Sequence, residues 1–234
     1  MELCTVPLDA SAATVAALAE FLSPAERARA LRFRFSHLTR RFVVGRAALR
    51  ALLAAKLGTH PAEVVFEEGH AGKLHLRGRG LEFNVSHSDE LAIYGIGRGA
   101  AIGVDVERIR AIPDLDAVAQ RTFAPAEWSV LASLPAEERT RGFFNCWTRK
   151  EAYVKATGDG LLAPLHDFEV TLRPGEPAAL RHVGGDAAEA ARWSLLHLEL
   201  EPDFVAAVAV RKSNAAVPPL RRLRSPEELV AAFP

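Results

Sequence analysis

Leu22-Ser23-Pro24-Ala25-Glu26 and Phe123-Ala124-Pro125-Ala126-Glu127 read as one helix start written twice, with the prolines 101 positions apart. Ser23 has the chemistry of an N-cap and Pro24 that of a first helical residue. Working outward, Phe42 and Phe143 keep the 101-residue separation, and Gly58 and Gly158 lie 100 apart. Leu38 to Leu57 has helical spacing that Gly58 ends, and Phe143 to Gly158 has it again. Beyond the first helix come short β-rich runs, Val64 to Glu67, Gly72 to Leu76, Leu81 to Val85, Leu91 to Ile96 and Ala101 to Val106, punctuated by Gly, Ser and Asp. Beyond the second come Phe168 to Leu172, Trp193 to Leu200 and Val205 to Val210, divided by Pro174-Gly175, Gly184-Gly185 and Pro202-Asp203. The pattern predicts a duplicated α+β fold: two pseudo-symmetric halves, residues 1–102 and 103–234, each of helices packed on a small antiparallel sheet. The cleft between the halves is then the natural ligand site.

The chain has 234 residues, 29 basic against 29 acidic side chains, 49% apolar and 25% charged residues, the profile of a globular protein and not of a disordered or coiled-coil one. No apolar run is long enough to span a membrane, and MELCTVPLDA lacks the basic start and apolar stretch of an export signal, so the expected location is the cytoplasm. Cys4 and Cys146 form neither a disulfide framework nor a C-x-x-C metal pair. Charge is uneven locally. Arg27, Arg29, Arg32, Arg34, Arg40, Arg41, Arg46 and Arg50 occur with no acid among them, a field suited to a polyanionic ligand or an acidic protein. Nucleic acid is not expected, because the whole chain is neutral and carries no nucleic-acid motif. With 24 Arg and five Lys, the few lysines stand out, and Lys73, Lys150 and Lys155 all fall in chemically distinctive segments.

Three segments carry chemistry. In Gly103-Val104-Asp105-Val106-Glu107 two carboxylates at i and i+2 of a strand point the same way, with Cα atoms roughly 6.6 Å apart, within reach of one hard cation. In the helix from Phe143 to Gly158, Trp147, Glu151 and Lys155 stand one turn apart and form one stripe beside Phe143, Phe144 and Val154. That stripe reads either as an exposed Glu-to-Lys pair or as partly buried charges awaiting a ligand or metal. Phe83-Asn84-Val85-Ser86-His87-Ser88 reads as a strand end opening into a turn, either an anion cradle or a serine turn capped by a structural histidine. The other histidines, His70 and His75 among them, match no zinc spacing.

Taken in order, Gly72-Lys73, Phe83 to Ser88, Gly103 to Glu107 and Trp147-x-x-Lys150-Glu151-x-x-x-Lys155 resemble the signature set of the 4′-phosphopantetheinyl transferases over about residues 20 to 210. The two-half length resembles the monomeric surfactin-type (Sfp-like) branch. The resemblance implies Mg²⁺-dependent transfer of the phosphopantetheine arm of coenzyme A to a serine of an apo acyl or peptidyl carrier protein, releasing adenosine 3′,5′-bisphosphate. It assigns Asp105, Glu107 and Glu151 to the metal, Lys155 to the diphosphate, Ser86 and His87 to the 3′-phosphate region, and Lys73 and Arg29 to further nucleotide phosphates. Trp147 packs under the site, and Glu151 or Glu127 is the candidate base, Glu151 being preferred. Three positions depart from the family pattern: Leu74 replaces a usual proline, Glu26 a frequent basic residue, and Phe42 a small or hydroxylic one. The alternatives are a coenzyme A- or carrier-binding protein of the same fold without turnover, and a magnesium-dependent phosphodiesterase.

Overall fold

The first half of the chain begins with a strand the sequence reading passed over, Glu2 to Pro7, whose central residues Leu3 to Val6 are all buried and so show no alternation. The computed structural model describes all residues except 70–72, 78–79, 159, 161–163, 201–202 and 234, so His70, Gly72 and Pro202 of the sequence reading lie outside the described residues. In order, the elements are β1 (Glu2–Pro7), α1 (Ala12–Ala19), α2 (Pro24–Ala30), α3 (Ser36–Leu57), β2 (Phe66–Glu68), β3 (Leu74–Leu76), β4 (Leu81–Ser88) and β5 (Leu91–Arg98). The series then repeats as β6 (Ile102–Arg108), α4 (Leu115–Thr122), α5 (Pro125–Ala132), α6 (Ala136–Thr157), β7 (Phe168–Val170), β8 (Leu180–Val183), α7 (Ala187–Ala190), β9 (Ser194–Glu199) and β10 (Phe204–Val210). β11 (Leu220–Arg222) and α8 (Glu227–Ala231) close the chain.

The sheets repeat too. One has the order β11-β1-β5-β4 and the other β6-β10-β9, so β5 and β10 are corresponding central strands, while β2-β3 and β7-β8 are matching hairpins. The helices α3 and α6 both have 22 residues, and both end at a left-handed glycine, Gly58 (φ 66°) and Gly158 (φ 84°), where a side chain would be strained. β11, counted with the second half in the sequence reading, pairs parallel with β1, and Leu223 and Leu229 join the first core. This apolar tail covers an edge that β1 would otherwise expose.

A duplicated ion pair holds each half together. Glu26 caps its own helix through the Ser23 N–H (2.8 Å) and accepts from Arg50 Nε (2.7 Å), which also donates to the carbonyls of Pro61 and Val64 (3.0 and 2.9 Å). Glu127 does the same with the Ala124 N–H (2.8 Å) and Lys150 Nζ (2.8 Å), which donates to the carbonyls of Leu165 and Phe168 (2.6 and 2.5 Å). In each half one acid, half-buried Glu26 or buried Glu127, thus joins a short helix, a long helix and the loop after it. This explains Glu26: it is the counterpart of Glu127 and belongs to the framework.

Three apolar cores result. One lies under α3 against β1, β4 and β5, a second under α6 against β6 and β10, and a third between the sheets, where Leu3 and Ile93 meet Val104, Val106 and Leu198. At the seam, β4 runs beside β6 joined by side chains: Asn84 Oδ1 accepts from Val104 N–H (2.9 Å) and Ser88 Oγ from Arg108 N–H (3.1 Å). The second helix lies hard against its sheet at Gly103, where a Cβ would come 2.0 Å from the Ala152 carbonyl oxygen and 2.4 Å from the Ala156 nitrogen. Among the described residues no helix is long and apolar enough to cross a membrane.

Gly103→Ala must therefore push α6 off β6. We expect it to destabilise the protein by about 3 kcal/mol, at the upper end of ordinary overpacking costs, read as a lowered midpoint in urea unfolding.

Candidate active site

The strand β4 is longer than its sequence suggests. Ser86, His87 and Ser88 pair with Ile93, Ala92 and Leu91 of β5, and the turn is Asp89-Glu90, with Asp89 at φ 48°. The expected turn at Ser86 to Ser88 is thus corrected. With the segment in a strand, its side chains alternate between faces. Ser86 and Ser88 reach β6, while exposed His87 lines a cavity on the other side. The structure parts Ser86 from His87.

At the seam, Lys155 Nζ donates to Asp105 Oδ1 (2.6 Å) and to Ser86 Oγ (2.9 Å), and Ser86 Oγ donates to the same carboxylate oxygen (2.8 Å). Asp105 is only 3% exposed, and its Oδ2 is buried without a hydrogen-bond partner. Burial pushes the Asp105 carboxyl above its ordinary range, against the pull of Lys155 and Ser86. Glu107 accepts from Ser88 Oγ (2.8 Å); burial raises it, Ser88 opposes, and the charge of Asp105 adds to the rise. Glu151 is raised by burial and then by Asp105 and, more weakly, Glu107, with Lys155 opposing. The three carboxylates named from the sequence therefore share one electrostatic neighbourhood. Among the described residues no group of three or more His, Cys, Asp or Glu side chains is drawn together as a metal cage. The Lys155 ammonium holds the position beside Asp105.

Above this cluster a cavity of about 440 Å³ opens between the halves, lined by Arg29 of α2, Arg46 of α3, Lys73, Asn84 and Val85 of β4, and Glu151 and Lys155 of α6. Lys73 Nζ donates to the Lys155 carbonyl oxygen (2.9 Å), tying the first half to the end of α6. A neighbouring cavity of about 600 Å³ shares Arg29, Arg46 and Val85 and adds His37, Arg41, Phe42 and His87. Four cations thus face the smaller cavity against the carboxylates of Glu68 and Glu151, an electrostatic setting for an anion. Arg46 and His37 were not singled out as ligand contacts; the arginine-rich run was the signal, but only the fold selects which of its members face the cleft.

Glu127 is 3% exposed, lines neither cavity, and has its oxygens engaged by Lys150, the Ala124 N–H and the Val170 N–H (each 2.8 Å). Lys150, completely buried and 4.3 Å from the centroid of Phe168, is its partner. Trp147 stacks on Phe143 (6.0 Å between centroids, 14° between planes) in the second core.

Residues 101–209 match the 4′-phosphopantetheinyl transferase superfamily, and residues 9–95 match the 4′-phosphopantetheinyl transferase N-terminal family. The chain is 44% identical over 214 residues to 4′-phosphopantetheinyl transferase HetI of Nostoc sp., an alignment covering 90% of this chain and 87% of that one. The chain belongs to the 4′-phosphopantetheinyl transferase superfamily. It is also 34% identical to psf-1 of Bacillus pumilus over 85% of this chain and 83% of the relative, and 29% identical to Sfp of Bacillus subtilis over 65% and 67%. These relatives place it in the surfactin-type branch, and it is a transferase using coenzyme A as its substrate. In this transferase, breaking the buried pair is a stability event. Glu127→Ala, which strands the Lys150 ammonium, should cost about 3–5 kcal/mol in urea unfolding. Glu127→Gln should leave kcat per folded molecule unchanged, whereas a role as base requires kcat to collapse.

Proposed function

We propose that the enzyme moves 4′-phosphopantetheine from coenzyme A to a serine hydroxyl of an apo acyl or peptidyl carrier protein at the seam of β4, β6 and α6, releasing adenosine 3′,5′-bisphosphate. The observation that carries this is the Lys155 ammonium, held by Asp105 and Ser86 at the floor of a cleft whose other wall is Arg29, Arg46 and Lys73. A ligand with a diphosphate and a separate phosphate matches two cationic groups facing one another. Lys155 steadies the diphosphate, and the negative charge that gathers on the leaving bisphosphate is met by cations already in place.

The serine hydroxyl loses its proton as its oxygen attacks the phosphorus that carries the pantetheine arm. Glu151 takes that proton. It lines the cavity and, among the described residues, has no hydrogen-bond or ion-pair partner that would occupy its oxygens. Burial and the neighbouring Asp105 raise its carboxyl above the ordinary range, which makes it a stronger proton acceptor than a free carboxylate.

Asp105, Glu107 and Glu151 fit a magnesium ion by donor chemistry: all are oxygen ligands, Asp105 Oδ2 is buried without a partner, and the charge of Asp105 acts on both Glu107 and Glu151. Bound there, magnesium would neutralise charge on the diphosphate oxygens. Lys155 would keep its bond to Asp105 Oδ1, leaving Asp105 Oδ2, Glu107 and Glu151 as the oxygens that would hold the ion. Both walls of the cleft come from one chain, so the site needs no second copy, and we read the enzyme as a monomer of the cytoplasm.

The test is purified enzyme with coenzyme A, Mg²⁺ and an apo carrier, followed by intact-protein mass. One phosphopantetheine should add to the carrier, and no addition across a panel of carriers would overturn the reading. Asp105→Ala should lower kcat by at least about 10²-fold, as the loss of a group that supports transition-state charge does. Lys155→Ala should lower kcat and raise the KM for coenzyme A together.

A further inference from the structure

Two hydroxyls of β4 stand opposite two carboxylates of β6, the members of each pair lying two residues apart on their strand. Ser86 Oγ donates to Asp105 Oδ1 and Ser88 Oγ to Glu107 Oε2, both at 2.8 Å. Each hydroxyl takes one oxygen of its partner and leaves the other. Asp105 Oδ2 is buried without a hydrogen-bond partner, and Glu107 Oε1 has none among the described residues. Asp105 has a further restraint in Lys155 at 2.6 Å. Glu107 has nothing of that strength. Apart from Ser88, its closest charged neighbour is Arg110 Nη1 at 3.8 Å, on a side chain 60% exposed. Such a contact holds little and draws the carboxylate toward solvent.

Ser88 is itself held. It is buried and pairs with Leu91 at the closed end of the β4–β5 hairpin. Its Oγ accepts from the Arg108 N–H (3.1 Å), so its one proton is left to point at Glu107. The turn beside it is tied to β6, since Arg108 Nη1 donates to both oxygens of Glu90 (2.7 and 2.9 Å). Glutamate has one more side-chain torsion than aspartate, and an anchor on one oxygen removes that freedom before a ligand arrives.

We propose that Ser88 is a positioning residue that holds Glu107 Oε2 so that Oε1 is presented, with Asp105 Oδ2, to the divalent cation. The inference rests on the reading that Asp105, Glu107 and Glu151 hold magnesium. The ligand then comes from one half of the chain and its anchor from the other, so the cation site depends on the seam as well as on β6. Hydrogen-bond partners of metal ligands fix the direction in which the ligand atom points, and their loss weakens metal binding without removing a ligand.

The experiment titrates Mn²⁺, a paramagnetic substitute for Mg²⁺, into the full chain with coenzyme A and reads free Mn²⁺ by electron paramagnetic resonance. The proteins are the wild type, Ser88→Ala, Ser88→Thr and Ser88→Val. Ser88→Ala and Ser88→Val should weaken Mn²⁺ binding by about tenfold, the low end of what losing a ligand's hydrogen-bond partner costs. Ser88→Thr, which keeps the hydroxyl, should bind Mn²⁺ as the wild type does. Threonine and valine have the same shape, so the difference between them reads the hydroxyl and decides the matter if Ser88→Ala fails to fold. With an apo carrier, the Mg²⁺ concentration for half-maximal rate should rise by about tenfold in Ser88→Ala and Ser88→Val. A purely structural role lowers the folded fraction and leaves that concentration where it was. Equal Mn²⁺ affinity in the wild type, Ser88→Ala and Ser88→Val overturns the role of Ser88 and leaves the magnesium reading standing. Uptake of Mn²⁺ by the wild type no greater than by coenzyme A alone overturns both.

Discussion

The close approach of α6 to β6 at Gly103 is the constraint on which the rest depends. With only a hydrogen there, the backbone of Ala152 and Ala156 lies directly on the strand, closer than any Cβ permits. Lys155, on the same helix, then meets Asp105 two residues along the strand at 2.6 Å. The separation of the acidic and basic groups is therefore fixed by a backbone contact between two rigid elements and not by a loop. Rigid support of this kind keeps a catalytic constellation in register, since small displacements of positioned groups are costly in rate.

The duplication supplies the frame twice and the chemistry once. Each half has its acid, Glu26 or Glu127, holding a long-helix cation, Arg50 or Lys150. At the offset of 101 residues seen for the prolines, Asp105 and Glu107 correspond to Cys4 and Val6, which face the first core instead of a cleft. Burial pushes the Cys4 thiol up to about 11, so that position is an inert apolar contact. The first half contributes cations from α2 and α3 and the second carboxylates from β6 and α6, which is why the site needs both. Glu127 has its oxygens engaged by Lys150 and two backbone N–H groups, whereas Glu151 lines the cleft and, among the described residues, has no such partners.

Much was legible in the sequence because it rests on local spacing. Repeated Pro-Ala-Glu starts, helical periodicity ending in glycine, and β-rich runs punctuated by turn residues gave the two-half α+β plan, and Asp105, Glu107, Glu151 and Lys155 stood out by their spacing on strand and helix. What misled was also local. Ser86 to Ser88 have turn composition, yet their pairing with β5 makes them strand, and a hairpin register is a partner's property. Glu127 and Lys150 stand 23 residues apart with nothing local to pair them, and the packing around Phe168 and Val170 brings them together.

The sequence by itself determined the long helices, most of the strands, the repeat and the identities of the acidic and basic groups, since helix and strand periodicity are written within a few residues; β1 and the Ser86–Ser88 end of β4 are the exceptions. The tertiary structure alone decided which of the arginines between 27 and 50 face the cleft, that Ser86 and His87 serve opposite faces, and that Lys155 lies on Asp105. The physical reason is that charges act through space: groups 50 or more residues apart in sequence interact only after the apolar cores have fixed where α3, β4, β6 and α6 sit.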